Sequence, residues 1–229
     1  MKHADAYTDR AHAGRELARC LGHLEDAHPL VLALPRGGVP VAFPVARALH
    51  AELDLMIVRK LGLPGQEEFA MGAIGSGGVR VLQPGVPGLM GVSAAEVEAV
   101  TRREQAELAR RERHYRGARP APRLAGRCVI LVDDGIATGA SMEAAVEVAR
   151  RQQPQRIVVA APVGAPDTVE ALRRKVDEVV CLVTPLRFRA VGEWYRQFDQ
   201  TGDEEVQELL AQAWAGTPGG QPTKREERT

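Results

Sequence analysis

The sequence predicts an α/β protein built on a five-stranded parallel sheet with helices on its faces, and three observations carry that reading. Short apolar runs recur near residues 30, 53, 128, 157 and 178. Each is mostly apolar, the run at 53 being interrupted by Asp54, and too short for a helix, as expected of buried strands. Glycine- or proline-bearing loops follow the runs, and helical patterns separate one run from the next. Strand, loop and helix repeated in this order close a parallel sheet through right-handed crossovers.

The chain has 229 residues, enough for one substantial core. Thirty basic and thirty acidic residues leave a formal net charge of zero, so no global field draws the protein to nucleic acid or an anionic membrane. The start, MKHADAYTDRAHAGRELARC, lacks an apolar signal region, and no apolar run is long enough to span a bilayer. A cytoplasmic protein is expected. Cys20, Cys128 and Cys181 are odd in number and widely spaced, which favours small buried hydrophobes over a disulfide or metal framework.

Taken in order, residues 9–27 place Ala13, Leu17, Cys20, Leu21 and Leu24 on one face of an amphipathic helix, leaving His12, His23 and His28 as surface residues. The run 30–34 leads into Pro35-Arg36-Gly37-Gly38 and a helix in which Pro40 fits the first turn, whereas Pro44 is expected to disturb or delay it. The strand at 53–58 ends in Arg59-Lys60, ahead of a glycine-proline loop. Residues 65–92 are glycine-rich with one strand, Val79 to Leu82, and suggest a hinged lid; Glu67 and Glu68 there are either substrate contacts or simply solvated. Ser93-Ala94-Ala95-Glu96 is a capping box opening a helix to about His114, with a thin apolar face of Val97, Val100, Gln105 and Leu108. The arginines from Arg110 to Arg123, interspersed with glutamates and prolines, read as a solvated linker.

Beyond the stretch 128–150, a strand at 156–164, a helix from Ala165 and a strand at 177–185 complete the sheet. The aromatics Phe188, Trp194, Tyr195 and Phe198 follow, then an amphipathic helix from Asp203 carrying Val206, Leu209, Leu210 and Ala213. The expected organisation is one domain over 1–215, with a lid insertion at about 62–123, a hood at about 185–215 and a disordered tail at 216–229.

The most informative stretch is CVILVDDGIATGASMEAAVEVAR, residues 128–150. Its order is buried strand, tight loop, helix. Thr138 and Ser141 supply hydroxyls, and Gly139 allows backbone N–H groups close to an oxyanion, which suits a phosphate monoester at a helix start. Asp133 and Asp134 repel that anion, so their partners are sugar hydroxyls or a hydrated cation beside it. Read singly, Thr138 is an N-cap and the aspartates are solvated strand-end acids.

As a whole the stretch resembles the 5-phosphoribosyl-1-diphosphate-binding signature of the type I phosphoribosyltransferases, and LPRGGVPVA at 34–42 is similar to the diphosphate loop of the same family. The resemblance covers about residues 28 to 185 but not the segment 65–123. It implies that Asp133 and Asp134 hold the ribose hydroxyls and that Gly135, Ile136, Ala137, Thr138, Gly139, Ala140 and Ser141 cradle the 5-phosphate. Arg36, Gly37, Gly38, Arg59 and Lys60 would hold the diphosphate, with a cis peptide between Pro35 and Arg36. Asp133, Asp134, Lys60 and Arg36 form the implied catalytic set. Mg2+ would arrive on the diphosphate, with no direct protein ligand. Phe188 would stack on a flat base, or else join the other aromatics in anchoring the last helix to the sheet.

The implied activity is transfer of the phosphoribosyl group to a nucleobase-like nitrogen heterocycle with release of diphosphate, as in nucleotide salvage. A homodimer is the family tendency. A non-catalytic regulatory protein that binds 5-phosphoribosyl 1-diphosphate is the alternative; Arg36 and Lys60 argue against it. A sugar-phosphate hydrolase would need a nucleophile setting, and none is seen.

Overall fold

The computed structural model describes residues 7–215. Helix α1 (Arg10–Leu21) opens where the Asp9 carboxylate accepts the His12 N–H at 2.6 Å. Strand β1 (Leu30–Ala33), helix α2 (Gly38–Ala48) and strand β2 (Glu52–Leu55) follow. An antiparallel sheet of β3 (Val58–Leu63), β4 (Gln66–Gly75) and β5 (Val79–Leu82) comes next, then the short α3 (Val86–Leu89) and the long α4 (Ala94–Arg116). The chain returns through β6 (Cys128–Val132), α5 (Ala140–Arg151), β7 (Arg156–Val163), α6 (Pro166–Arg173), β8 (Glu178–Val183) and α7 (Asp203–Ala215). The expected tail at 216–229 lies outside the described residues.

The five expected strands form one parallel sheet in the order β2-β1-β6-β7-β8. Because a strand's side chains alternate between faces, Val31 and Ala33 of β1 join Ile130 and Val132 of β6 in one core layer with α1 and α2. Leu30, Leu32, Val129 and Leu131 join the α5 residues Met142, Val146 and Val148 in the other. Chain order reverses direction between β1 and β6, so the helices that follow them leave on opposite faces. A crevice opens there at the carboxyl ends of the strands, the usual ligand position in such sheets.

Several expectations need correction. The run 53–58 is two strands, broken at the buried Met56 and Ile57, so Arg59 and Lys60 lie inside β3 and not at the end of a strand. The glycine-rich segment supplies a ten-residue strand, β4, whose Met71 and Ile74 enter the main core. Its glycines mark close approach: a side-chain carbon on Gly72 would lie 2.2 Å from the Val81 carbonyl oxygen, and one on Gly75 2.6 Å from Val148 Cγ1. Pro44 removes one helical bond yet does not end α2, because Gly14 of α1 leaves room for its ring, 2.5 Å from where a Cβ would be. Cys20 is exposed, not on the buried face.

The capping box at Ser93 and Glu96 forms as expected. The buried face of α4, however, carries Thr101 and Glu104 in place of Gln105. Its last residue, Arg116, is almost fully buried, with Nε 2.6 Å from Asp54 Oδ1 at the end of β2, and it also donates to the Leu55 carbonyl and to Glu112. Burial pushes the Asp54 carboxyl above its ordinary range, and Arg116 opposes that shift. The pair ties the inserted helix to the parallel sheet. Arg116→Ala strands a buried carboxylate and is expected to cost about 3–5 kcal/mol in urea-induced unfolding; a loss below about 1 kcal/mol would refute this role.

Candidate active site

The site is built where β1 and β6 end side by side. Ala33 pairs with Val132, and the Leu34 N–H donates to the Val132 carbonyl at 2.9 Å, so the loops after both strands leave the sheet together. The peptide between Pro35 and Arg36 is cis, as expected. The loops touch at two glycines. A side-chain carbon on Gly37 would lie 2.1 Å from Asp134 Oδ2, and one on Gly38 2.6 Å from the Val132 carbonyl oxygen. Only residues without Cβ allow this backbone to reach the acids. The structure therefore brings Arg36, Gly37, Gly38, Asp133 and Asp134 to one edge.

The two acids are held against their own repulsion. Asp133 Oδ1 accepts the Asp134 N–H at 2.9 Å. Burial, and then the neighbouring Asp134 charge, push the Asp133 carboxyl well above the ordinary range. Burial raises Asp134 as well, while Arg10 pulls it back with Nε 2.8 Å from Oδ2. Sequence reasoning missed Arg10, a single arginine near the start of α1 with no local signal of its role. Its guanidinium also donates to the Asp199 carbonyl at 2.7 Å and lies 3.9 Å from the Phe198 ring centre.

Aromatic residues of the C-terminal segment complete the support. The Tyr195 hydroxyl donates to the Asp134 carbonyl at 2.6 Å, and its ring stacks on Phe198 at 5.0 Å. Burial, with the Asp134 charge second, raises the Tyr195 hydroxyl far above its usual range, so it stays a donor. Tyr7 packs beside it and donates to the Pro162 carbonyl at 3.1 Å. Phe188 is half-buried against the same cluster, at the end of β7 and β8.

The loop 135–141 lines a cavity of about 160 Å³ together with Asp133 and Met142. Gly139, at φ 76°, turns the chain into α5, and a Cβ there would lie 2.4 Å from Thr168 Cγ2. The first helical bond runs from the Glu143 N–H to the Gly139 carbonyl at 2.8 Å, so the N–H groups of Ala140, Ser141 and Met142 precede it. Thr138 Oγ1 is 3.5 Å from the Ala140 nitrogen, too long for a firm cap. Thr138 and Ser141 are exposed. Ile136 departs from its expected place among the phosphate contacts. Its side chain is buried and its N–H is already bound to the Val163 carbonyl at 2.9 Å, so it pins the loop to β7 and cannot donate to an anion.

The cations divide. Arg36 is half-exposed, 3.6 Å from Asp203. Arg59 is engaged by the buried Glu104 of α4 at 2.7 Å. Lys60, the next residue along β3, points to the opposite face of that strand, is exposed, and has no ion pair among the described residues.

Comparison with known proteins settles the family. The sequence profile of the phosphoribosyl transferase domain matches residues 3–193. The chain belongs to the phosphoribosyl transferase domain family. TT1426 from Thermus thermophilus, a solved structure, is 47% identical, with a TM-score of 0.82, covering 90% of this chain and 98% of that one. Two Mycobacterium tuberculosis proteins, MT0597 of strain CDC 1551 / Oshkosh and Rv0571c of strain ATCC 25618 / H37Rv, are each provisionally named a phosphoribosyl transferase. Each is 49% identical over 207 residues, 90% of this chain and 47% of the relative. The chain thus spans about half the length of these curated relatives.

Membership in the family gives the raised carboxyl of Asp133 a testable consequence. A raised folded-state pKa means that ionising the acid destabilises the fold; the penalty is complete above the folded pKa and vanishes below the unfolded one. Asp133→Asn keeps the oxygen that accepts the Asp134 N–H and removes the penalty. It is expected to raise Tm at pH 7, by about 2–4 °C for each kcal/mol regained in a chain of this size. The gain should shrink as pH falls towards about 4, the unfolded carboxyl value. Thermal melts across that range check it, and a gain that grows with acidity would contradict the assignment.

Proposed function

We propose that the protein transfers the 5-phosphoribosyl group from 5-phosphoribosyl 1-diphosphate to a nitrogen heterocycle of the nucleobase kind, releasing diphosphate. The carrying observation is the meeting of two dissimilar anion-ready loops across a pair of acids. One loop presents the first-turn N–H groups of Ala140, Ser141 and Met142, which precede the first helical bond, and the exposed hydroxyls of Thr138 and Ser141 to a cavity of about 160 Å³. The other lays the Gly37 backbone against Asp134 and carries Arg36, 3.6 Å from Asp203, beside it. A phosphate monoester fits the first, a diphosphate the second, and ribose hydroxyls the acids between.

In this reading the acceptor nitrogen attacks C1, the bond from C1 to the diphosphate oxygen breaks, and the configuration inverts. Little covalent chemistry falls to the protein. Its work is to fix both ends of the sugar and to complement charge: Asp133 and Asp134 steady the ring as it becomes positive, and Arg36 and Lys60 meet the departing anion. The donor set suits a hard cation carried by the substrate. No cluster of three or more metal-ligating side chains exists among the described residues, and one of the two acids is already claimed by Arg10. Mg2+ would sit on the diphosphate oxygens with Asp133 nearby and neutralise the leaving group. Phe188, at the ends of β7 and β8, is the proposed platform for the base. The exposed tip of the β3–β4 hairpin, residues 64–69 with Glu67 and Glu68 at the start of β4, is the proposed lid.

Incubation with Mg2+, 5-phosphoribosyl 1-diphosphate and a panel of nucleobases tests the reading. Base-dependent diphosphate release supports transfer, tight binding without turnover identifies a regulatory binder, and base-independent phosphate release identifies a hydrolase. Changing Asp133 and Asp134 together to Ala is expected to abolish binding while the fold survives; unchanged binding removes these acids from the site. Gly37→Ala keeps a helical backbone angle but drives a methyl group into Asp134, so affinity is expected to fall at least tenfold, about 1.4 kcal/mol, with far-ultraviolet circular dichroism unchanged.

A further inference from the structure

Beside the crevice lies a second hollow of about 270 Å³, and apart from Pro35 and Arg36 its walls come from parts of the chain outside both phosphate motifs. Arg110, Arg111, His114 and Tyr115 enter it from the last two turns of α4, and Asp203 from the first turn of α7. Arg36 closes it, which makes the hollow continuous with the loop proposed to hold diphosphate.

We propose that this hollow is a diphosphate subsite, in which α4 adds Arg110, Arg111 and His114 to the cation that Arg36 provides. The inference deepens the transfer reading, on which it rests for its physiological occupant, the diphosphate end of 5-phosphoribosyl 1-diphosphate. Three features carry it. First, an anion already occupies the hollow: the Asp203 carboxylate accepts the Tyr115 hydroxyl at 2.6 Å, lies 3.3 Å from His114 Nε2 and lies 3.6 Å from Arg36 Nη1. Tyr115 remains a donor, because burial first and Asp203 second push its hydroxyl up to about 12.

Second, the charge balance of the lining stays positive after the lining acid and the acid paired with its arginines are counted. Arg36, Arg110 and Arg111 face Asp203 and Glu107, leaving one net positive charge before His114 is considered. Third, Arg110 and Arg111 share a single carboxylate. Glu107 binds Arg110 through Nε at 2.7 Å and Nη2 at 2.9 Å, and Arg111 through Nε at 2.9 Å. Cations near a helix C-terminus are ordinarily accounted for by the helix dipole and by such pairs. Here the shared partner leaves Arg110 Nη1 and both terminal nitrogens of Arg111 outside these pairs, in the wall of the hollow that also holds Asp203. Diphosphate, with more charge and more acceptor oxygens than one carboxylate, displaces Asp203 and engages those donors.

Calorimetric titration of the full chain with Mg2+ and, separately, inorganic diphosphate, 5-phosphoribosyl 1-diphosphate and ribose 5-phosphate tests this. Arg110→Gln combined with Arg111→Gln alters exposed side chains and leaves α4 intact. Expected is a loss of about tenfold or more for both diphosphate-bearing ligands, with ribose 5-phosphate unchanged. Asp203→Asn, which removes the resident anion, is expected to tighten inorganic diphosphate several-fold. Wild-type affinity for diphosphate in the double variant overturns the subsite, as does equal weakening of ribose 5-phosphate or weaker diphosphate binding by Asp203→Asn. If inorganic diphosphate obeys the expectation while 5-phosphoribosyl 1-diphosphate neither binds nor turns over, the hollow stands and the transfer reading falls.

Discussion

The architecture depends on one close approach, the backbone of Gly37 and Gly38 lying against the acids at the end of the neighbouring strand. It exists because β1 and β6 pair in a single register, Leu30 to Val129 through Ala33 to Val132. That register is fixed by burial on both faces: a slip of one residue would exchange Leu30 and Leu32 for Val31 and Ala33 in the two core layers. Packing remote from the ligand crevice thus sets the spacing of the loops within it. The glycines convert the spacing into contact.

Holding two carboxylates together at a partly covered strand end opposes folding, and the surrounding structure is arranged to bear it. Arg10 neutralises Asp134, the Asp134 N–H binds Asp133, and Tyr195 clamps the backbone between the loop and the C-terminal segment. These groups come from opposite ends of the described chain, and Tyr7 and Tyr195 join those ends by a parallel bridge. The two strand-end acids therefore draw on the whole fold for their electrostatics.

What the sequence made legible was local. Mostly apolar runs announced the five strands, Ser93 with Glu96 announced the start of α4, and the order of acids, glycine and hydroxyls announced the loop before α5. What it hid was settled at a distance. Gly72 and Gly75 look like flexible loop glycines until Val81 and Val148 are placed against them. Arg59 looks unpartnered until Glu104, 45 residues on, is folded beneath it. Arg10 acquires meaning only once Asp134, 124 residues away, lies next to it, and the N–H of Ile136 is known to be spent only when β7 is in place. Spacing rules report none of these, because each is a property of two segments and not of one.

The buried partnership of Asp54 with Arg116 has a bearing on how such a chain can change over generations. Asp54 belongs to the parallel sheet, whereas Arg116 closes the long helix inserted between β5 and β6. Deleting that helix would remove the buried acid's closest cation and leave only Arg119, 3.9 Å away, to face it. The insertion is thereby locked in place, and a trimmed descendant becomes reachable only along a route that replaces Asp54 first.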